Sequence, residues 1–382
     1  MRRSLPIILA LVLGVLLGGP SRAAEPFPVT VTDLMDRKVT IPSEPKRVIL
    51  GTGRTIYALD MLFENDLFEN IIAWRRDLIR NDDDTYQVYL KRFPSIANLP
   101  DVGLVNRGEF DVEYAINIRG DLLILDLDHY PLAHQSGLIE TLSATGMETI
   151  FIDFKNDPLK NTQRSMALLG AVFNRPGPAA EYNAFYDKHL ETLRRADATV
   201  RQRRTVFIER AAGINGLDQC CRTWGKSNLG LIAEAAGLEN IGSKLLPGAG
   251  GTISMEKVLI ENPNLYVFSA ANWGRHRPDA RNIPLGYTIE EEEAQRAFPP
   301  LLSRPGFSVL DATHNNQIYA LFHQFYNAPF NIIAALYLAK WAYPEMYRDL
   351  DPAKEFAFLH DRFLTADFSG TFGLHYHPRE TE

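Results

Sequence analysis

The chain of 382 residues is 46% hydrophobic and 10% aromatic, which is enough for two ordinary domains with apolar cores. Its 40 Lys and Arg against 47 Asp and Glu give a formal net charge of −7. This acidic balance argues against a nucleic-acid-binding protein, because phosphate neutralisation needs an excess of Lys and Arg. Local clusters of arginine can still bind an anionic ligand.

The N-terminus has the layout of a secretory signal peptide. A short basic start precedes an almost wholly apolar run at 5–17, and Ser21 and Ala23 supply the small residues of a cleavage site. We therefore predict that residues 1–23 are removed on export to the periplasm. Removing the three arginines of this segment lowers the basic count from 40 to 37 against 47 acids, a net charge of about −10. A retained membrane anchor is the alternative, although the apolar run is short for a membrane span.

The first half of the chain, at 24–175, predicts an α/β lobe. An alternating pattern at 29–41 predicts an edge hairpin. Short apolar runs then alternate with helical segments, the order expected for parallel strands joined by crossover helices. The predicted strands are 47–51, 71–74, 121–127 and 148–154. The predicted helices are 55–63, 84–93, 111–118, 136–145 and 159–173.

A long helix and a second α/β lobe follow. The stretch 179–203 contains no Gly or Pro and predicts an amphipathic helix of about 25 residues, or roughly 37 Å. We assign 176–203 to a rigid linking helix and 204–382 to the second lobe. Residues 270–300 are predicted to be irregular, with an acidic run at 290–293 that lies on a solvated surface. The predicted strands of this lobe are 205–209, 265–269 and 317–322, and its helices are 227–236, 254–261 and 329–343.

A weak internal repeat indicates that the two lobes are equivalent. Glu113 begins a short predicted helix eight residues before Asp121, which opens a strand. Glu256 begins a short predicted helix eight residues before Asn264, which opens a strand of the second lobe. The same order in both halves favours a repeated α/β unit.

The two cysteines, Cys220 and Cys221, are neighbours in the sequence. Within one chain they cannot join distant segments. A vicinal disulfide and a pair of partly buried free thiols are both compatible with the sequence. Neither arrangement predicts a zinc site, because no further Cys or His lies nearby at ligand spacing.

Four segments, at 31–62, 110–125, 254–268 and 330–344, resemble the periplasmic substrate-binding proteins of ABC importers for iron–siderophores, haem and vitamin B12. The first carries the family's hairpin followed by P-x-R-V, and the second and third resemble its N-x-E helix-to-strand motif, with Arg119-Gly120 in place of the usual Lys-Pro. The resemblance implies two three-layer α/β lobes with mainly parallel sheets, joined by one long backbone helix, with the ligand between them.

The resemblance also implies partners. One surface glutamate per lobe, Glu113 and Glu256 here, would dock onto arginines of the permease dimer in the inner membrane. The alternative interpretation is that a glutamate in a first helical turn only interacts favourably with the helix dipole. The family further implies a monomer that is not an enzyme, has no permanently bound cofactor and binds a small-molecule metal chelate.

Candidate ligand-binding residues follow the predicted strands, because ligands of α/β lobes bind outside the carboxyl ends of the strands. Guanidinium groups bind carboxylate, catecholate or phosphate oxygens in pairs, and Tyr and Trp offer flat apolar faces. This composition suits a bulky anionic ferric-siderophore-type chelate, although Trp74 is also a candidate core residue. His323 and Tyr326 are the candidates for an open coordination position of the iron, with a purely hydrogen-bonding role of both side chains as the favoured alternative. The full set is Arg54, Trp74, Arg210, Arg222, Trp224, Trp273, Arg275, His323 and Tyr326.

Other functions remain as alternatives. Haem or cobalamin binding fits the same family. A free-metal-ion binder would need three or four converging His and acidic side chains, whereas the nine histidines are scattered. A hydrolase is disfavoured because the sequence contains no G-x-S-x-G, H-E-x-x-H or Walker motif.

Overall fold

A computed structural model describes residues 27–63 and 66–378 of the chain. The predicted signal peptide lies outside the described residues. Within the described residues, no helix is long and apolar enough to cross a membrane.

The hairpin predicted at 29–41 is confirmed. Strands β1 (Val29–Thr32) and β2 (Lys38–Ile41) pair antiparallel, with Val29 opposite Ile41. Side chains alternate between buried and exposed along both strands, as expected of a ribbon with one face on the core. The backbone N–H of Leu34 donates to the carbonyl oxygen of Phe151, which attaches the hairpin to the first lobe.

A four-stranded parallel sheet forms the centre of the first lobe. Its order is β4-β3-β5-β6, and the middle strands are buried on both faces because helices cover the sheet. Its strands are β3 (Val48–Leu50), β4 (Ile71–Trp74), β5 (Leu122–Asp126) and β6 (Glu148–Ile152). Its helices are α1 (Ile56–Phe63), α2 (Asp77–Asn81), α3 (Asp83–Arg92), α4 (Val112–Asn117), α5 (Tyr130–Gln135), α6 (Leu138–Ser143) and α7 (Pro158–Val172).

One long helix, α8 (Pro176–Asp197), lies between the lobes and contacts both. It packs against α1 and α7 of the first lobe and against α9 (Asn228–Ala235) and α15 (Asn331–Ala342) of the second. It ends at Asp197 and not at 203 as predicted, because the following residues turn back and the Arg203 guanidinium donates to the Asp197 carboxylate at 2.6 Å.

A five-stranded sheet of order β13-β12-β11-β7-β9 forms the second lobe, with only β13 antiparallel. A separate antiparallel ribbon pairs β8 with β10. The strands are β7 (Thr205–Arg210), β8 (Arg222–Trp224), β9 (Glu239–Asn240), β10 (Gly250–Thr252), β11 (Leu265–Ala270), β12 (Ile318–Phe322) and β13 (Gly373–His375). The helices are α9 (Asn228–Ala235), α10 (Ile241–Leu245), α11 (Met255–Glu261), α12 (Glu291–Arg296), α13 (Phe298–Leu302), α14 (Asp311–His314), α15 (Asn331–Ala342) and α16 (Pro352–Phe363).

The predicted fold class, two α/β lobes with mainly parallel sheets joined by one long helix, is confirmed. The exact lobe boundaries at 175 and 204 stay predictions. The interpretation of 270–300 as irregular is wrong for its last part, because the exposed acidic run forms the start of α12, where carboxylates interact favourably with the helix dipole.

Candidate functional site

The candidate site lies where several parallel strands end. The turn after β3 carries Arg54, β7 ends on Arg210, and the turn after β12 carries His323 and Tyr326. Tyr326 joins the two lobes at this point, because its phenol oxygen accepts a hydrogen bond from Arg54 Nη1 at 2.9 Å. The structure therefore brings Arg54 and Arg210, both predicted from the sequence as site residues, close to the same tyrosine.

Arg54 is buried and already has partners. Its guanidinium lies 3.6 Å from the Asp77 carboxylate and 5.2 Å from the centre of the Tyr326 ring. Burial by itself would lower the pKa of Arg54, but Tyr326 and Asp77 raise it above its ordinary value. Arg54 is thus a fixed positive charge at the junction of the lobes, largely compensated by a carboxylate of its own lobe.

Arg210 and Arg222 differ from Arg54 because neither has a carboxylate partner in the part of the chain that the structure describes. The Arg210 guanidinium stacks over the Trp224 ring at 5.2 Å and lies 6.0 Å from the Tyr326 ring. Burial lowers the pKa of Arg210, and the positive charges of Arg222 and Arg54 lower it further. Across the described ranges, 27–63 and 66–378, no carboxylate forms an ion pair with Arg210 or Arg222.

Both arginines line a cavity of about 270 Å³ next to the turn after β7, and every residue that lines it, at 209–222 and at Thr252, belongs to the second lobe. Two acids also line it. Glu209 is held on both oxygens by Arg304, at 2.7 and 2.6 Å, and Asp218 is exposed to solvent. The wall therefore offers two uncompensated guanidinium groups, which is an arrangement that binds oxygen anions.

Aromatic side chains surround His323 beside these arginines. Its ring centre lies 5.8 Å from Trp224, 5.2 Å from Trp273 and 4.7 Å from Tyr326. Its Nδ1 is hydrogen-bonded to the Ser269 hydroxyl at 2.6 Å. Burial lowers the pKa of His323 well below its ordinary value, and the three nearby arginines lower it further. The imidazole is therefore neutral at physiological pH.

Two of the predicted site residues lie elsewhere. Trp74 is completely buried in the first lobe and packs against Tyr86, so its assignment as a ligand-binding residue is wrong and the alternative, a core residue, is correct. Arg275 is mostly exposed, and its Nε lies 3.0 Å from the Asp83 carboxylate. It belongs to a contact between the lobes and is not free to bind a ligand.

That contact is a seam of polar side chains along one side of the junction. The backbone carbonyl oxygen of Asn81 accepts hydrogen bonds from the Trp273 indole N–H at 3.0 Å and from the Gln324 side-chain amide at 2.6 Å. Asp83 also meets His276 Nε2 at 3.1 Å. The seam could not be predicted from the sequence, because its partners are about two hundred residues apart.

Solved structures with the same architecture cover almost the whole chain. The TroA-like periplasmic binding protein FepB from Veillonella parvula is 25% identical, with a TM-score of 0.84 over 92% of this chain and 100% of that one. Over nearly its whole length, the chain has the fold of the periplasmic binding proteins of ABC importers. Molybdate-bound MolA from Haemophilus influenzae has a TM-score of 0.66 at 17% identity, over 90% of this chain and 99% of that one. CeuE from Helicobacter pylori with Ni(II) bound has a TM-score of 0.62 at 16% identity, over 88% and 95%.

Sequence comparison of this chain finds a relative at an identity slightly below the 25% shared with FepB. The curated molybdate-binding protein MolA of Haemophilus influenzae is 22% identical over 354 residues, covering 84% of this chain and 86% of MolA. No protein-family model matches the chain.

The two glutamates assigned to docking lie in similar places on this binding protein. Glu113 is exposed in the first turn of α4, behind the N-cap Asp111, and Glu256 is exposed in the first turn of α11, behind the N-cap Ser254. In both helices the N-cap side chain accepts a backbone N–H, so each glutamate is free to face solvent. Their assignment to permease docking stays a prediction.

A basic residue near the site was missed by the sequence analysis. Lys155 follows β6 and lies 2.8 Å from Asp128 and 3.5 Å from Asp126. Burial would lower its pKa, but these two carboxylates raise it above its ordinary value. Its position directly after a strand of the first lobe was the signal available in the sequence.

Metal-ligating side chains do not cluster in the part of the chain that the structure describes. No group of three or more His, Cys, Asp or Glu there could hold a metal ion. Cys220 and Cys221, for which the sequence left two states open, form a disulfide with each other.

Proposed function

We propose that this binding protein captures an anionic, metal-bearing solute between its lobes and delivers it to an ABC permease, with a ferric-siderophore-type chelate as the ligand class. The observation that carries the proposal is the pair Arg210 and Arg222, which line one cavity without a carboxylate partner in the described residues. The pair supports anion binding beside Tyr326, which Arg54 of the first lobe also contacts.

The electrostatics of the site favour an anion. Arg54, Arg210 and Arg222 all lie close enough to His323 to lower its pKa, so the site concentrates positive charge. A bound anion relieves this repulsion and, for Arg210 and Arg222, displaces no carboxylate first. Hydrogen bonds between guanidinium groups and anionic oxygens are each worth about 1.5–3 kcal/mol.

The aromatic wall supports an organic component in the ligand. The half-buried Tyr326 ring lies 6.0 Å from the Arg210 guanidinium, and a flat apolar surface of this kind packs against the backbone of a chelator. Trp224 is buried beneath the Arg210 guanidinium and supports it. His323 is neutral, so it does not repel a ferric centre as an imidazolium would. His323 and Tyr326 are the side chains that we propose for an open coordination position of the iron.

A smaller oxyanion such as molybdate is the second candidate. The cavity of about 270 Å³ lies just below the usual range of about 300–1,000 Å³ for organic ligands. Two unpaired guanidinium groups are sufficient for a tetrahedral oxyanion, and MolA of Haemophilus influenzae, which both the sequence and the structure comparison find, is a molybdate-binding protein. Haem and cobalamin stay alternatives within the same family.

A tryptophan-fluorescence titration tests the proposal. The probes are ferric catecholate and ferric citrate complexes, sodium molybdate, haemin, cobalamin and Zn²⁺, with Trp224 and Trp273 as reporters at the site. We expect saturable quenching by a ferric chelate, or by molybdate for the second candidate. Binding of Zn²⁺ or cobalamin with no response to any anion would contradict the proposal.

Delivery requires export and docking. We propose that 1–23 directs export to the periplasm and that Glu113 and Glu256 contact the permease. N-terminal sequencing of the protein from a periplasmic extract should begin after Ala23. A cytoplasmic location of the full-length chain would contradict this part of the proposal.

A further inference from the structure

The disulfide between neighbouring cysteines lies at the edge of the candidate anion cavity. Cys220 lines this cavity together with Arg210 and Arg222, and Cys221 directly precedes Arg222, the first residue of β8. Cys221 is buried, with its sulfur 3.9 Å from the sulfur of Met255. One sulfur therefore lies in the core and the other at the cavity wall.

We propose that the Cys220–Cys221 disulfide positions Arg222 for anion binding, so that ligand affinity depends on the redox state of this pair. The inference rests on the function proposed above. A bond between neighbouring residues closes a small ring that includes their peptide bond, so the backbone entering β8 has fewer accessible conformations. Because the backbone before Arg222 is already ordered in the ligand-free protein, binding does not incur the entropic cost of ordering it.

Arg222 needs this support more than Arg210 does. Arg210 ends a central strand, pairs with β11 at Ser269 and stacks on Trp224. Arg222 has an exposed side chain and sits in a two-stranded ribbon, where its partner is Thr252 of the exposed, glycine-rich β10. A ribbon of two short strands is marginally stable by itself. The residue after Arg222, the buried Thr223, is anchored because its hydroxyl donates to the Ile208 carbonyl of β7 at 2.7 Å. The disulfide is the covalent constraint on the residue before Arg222.

The redox step uses a dithiol as the reductant. Its thiolate attacks the Cys220 sulfur, because Cys220 lines the cavity whereas Cys221 is buried, and Cys221 leaves as a thiolate and takes up a proton. The second thiol of the reductant then releases Cys220. Two electrons and two protons pass to the cysteine pair, and the dithiol becomes a disulfide.

The first test compares oxidised and reduced protein. The protein is reduced with dithiothreitol, desalted under argon so that the reagent cannot reduce or chelate the metal, and checked for two reactive thiols. It is then titrated with whichever of ferric citrate, the ferric catecholate or molybdate binds to the oxidised form. We expect affinity about 2- to 10-fold weaker after reduction. Unchanged affinity with two free thiols would overturn the inference.

The second test asks whether the disulfide acts through Arg222. The double variant Cys220→Ala/Cys221→Ala should bind the ligand as weakly as the reduced protein does, and its affinity should not respond to the reductant. In a protein that already carries Arg222→Ala, adding the two cysteine substitutions should cause no further loss of affinity. If the cysteine substitutions weaken binding as much in the Arg222→Ala protein as in the wild-type protein, the disulfide only stabilises the fold, which contradicts a positioning role. If the double variant does not fold, reduction of the Arg222→Ala protein makes the same comparison.

The two proposals fail in different ways. If Arg210→Ala and Arg222→Ala both leave affinity for every anion unchanged, the proposed function is wrong. If both variants weaken binding but reduction of the wild-type protein does not, only the inference about the disulfide is wrong.

Discussion

Replacing Arg210 should separate ligand binding from stability. In Arg210→Gln, the ligand loses a guanidinium that has no carboxylate partner in the described residues, so affinity should fall by about 1.5–3 kcal/mol, or roughly 10- to 150-fold. The ligand-free protein loses a cation–π contact with Trp224, worth about 0.5–1 kcal/mol, and also a repulsion from Arg222 and Arg54. These two effects oppose each other, so stability should change by less than about 1 kcal/mol.

Arg54→Gln provides the contrast. Arg54 and Asp77 are both largely buried and lie 3.6 Å apart, so the substitution leaves a buried carboxylate without its cation. Removing one partner of such a pair costs about 3 kcal/mol of stability. Affinity for an anion should also fall, because Arg54 contributes positive charge at the lobe junction.

Urea unfolding and tryptophan-fluorescence titration measure the two quantities on the same samples. Arg277→Gln is the matched control, since Arg277 is exposed and should change neither stability nor affinity. A loss of stability in Arg210→Gln as large as that in Arg54→Gln would contradict the prediction. Wild-type ligand affinity of Arg210→Gln would also contradict it.

Three further predictions concern other parts of the molecule. Burial raises the pKa of Asp82 to about 7, so between pH 4 and 7 the folded state holds a proton that the unfolded state has released. The stability of Asp82→Asn relative to wild type, measured by urea unfolding, should therefore rise by about 1 kcal/mol per pH unit over this range, and a difference that does not change with pH would contradict this. Asp84→Ala removes a buried carboxylate of the first lobe that accepts hydrogen bonds from Thr288 and Asn272 of the second lobe, and urea unfolding should show a loss of stability of about 1–3 kcal/mol. Glu113→Lys with Glu256→Lys should abolish transport in an uptake assay while leaving ligand affinity unchanged; loss of affinity would remove the docking role.

The parallel sheets could be predicted because their strands are continuous apolar runs. Leu122, Leu123 and Ile124 are all buried, and such a run between helical segments has few other interpretations. The ribbon of β8 and β10 could not be predicted, because three-residue strands such as Gly250–Thr252 show neither apolar character nor alternation. Its pairing depends on residues almost thirty positions apart.

The candidate site was predicted in part for the same reason. Arg54 and Arg210 follow strands, and the carboxyl ends of parallel strands lie at one edge of a sheet. The sequence could not show that Asp77 compensates Arg54, nor that Asp83 holds Arg275, since ion pairs between distant segments depend on tertiary structure. It also could not choose between free thiols and a disulfide for the adjacent cysteines.

The most direct test of a ligand site between the lobes is anomalous diffraction from a co-crystal with the tightest-binding ferric chelate or molybdate, collected at the metal's absorption edge. We predict one strong peak at the lobe junction, with the ligand's oxygens within hydrogen-bonding distance of the guanidinium groups of Arg210 and Arg222. A fully occupied metal position on the outer surface, with both arginines free of ligand, would contradict the account.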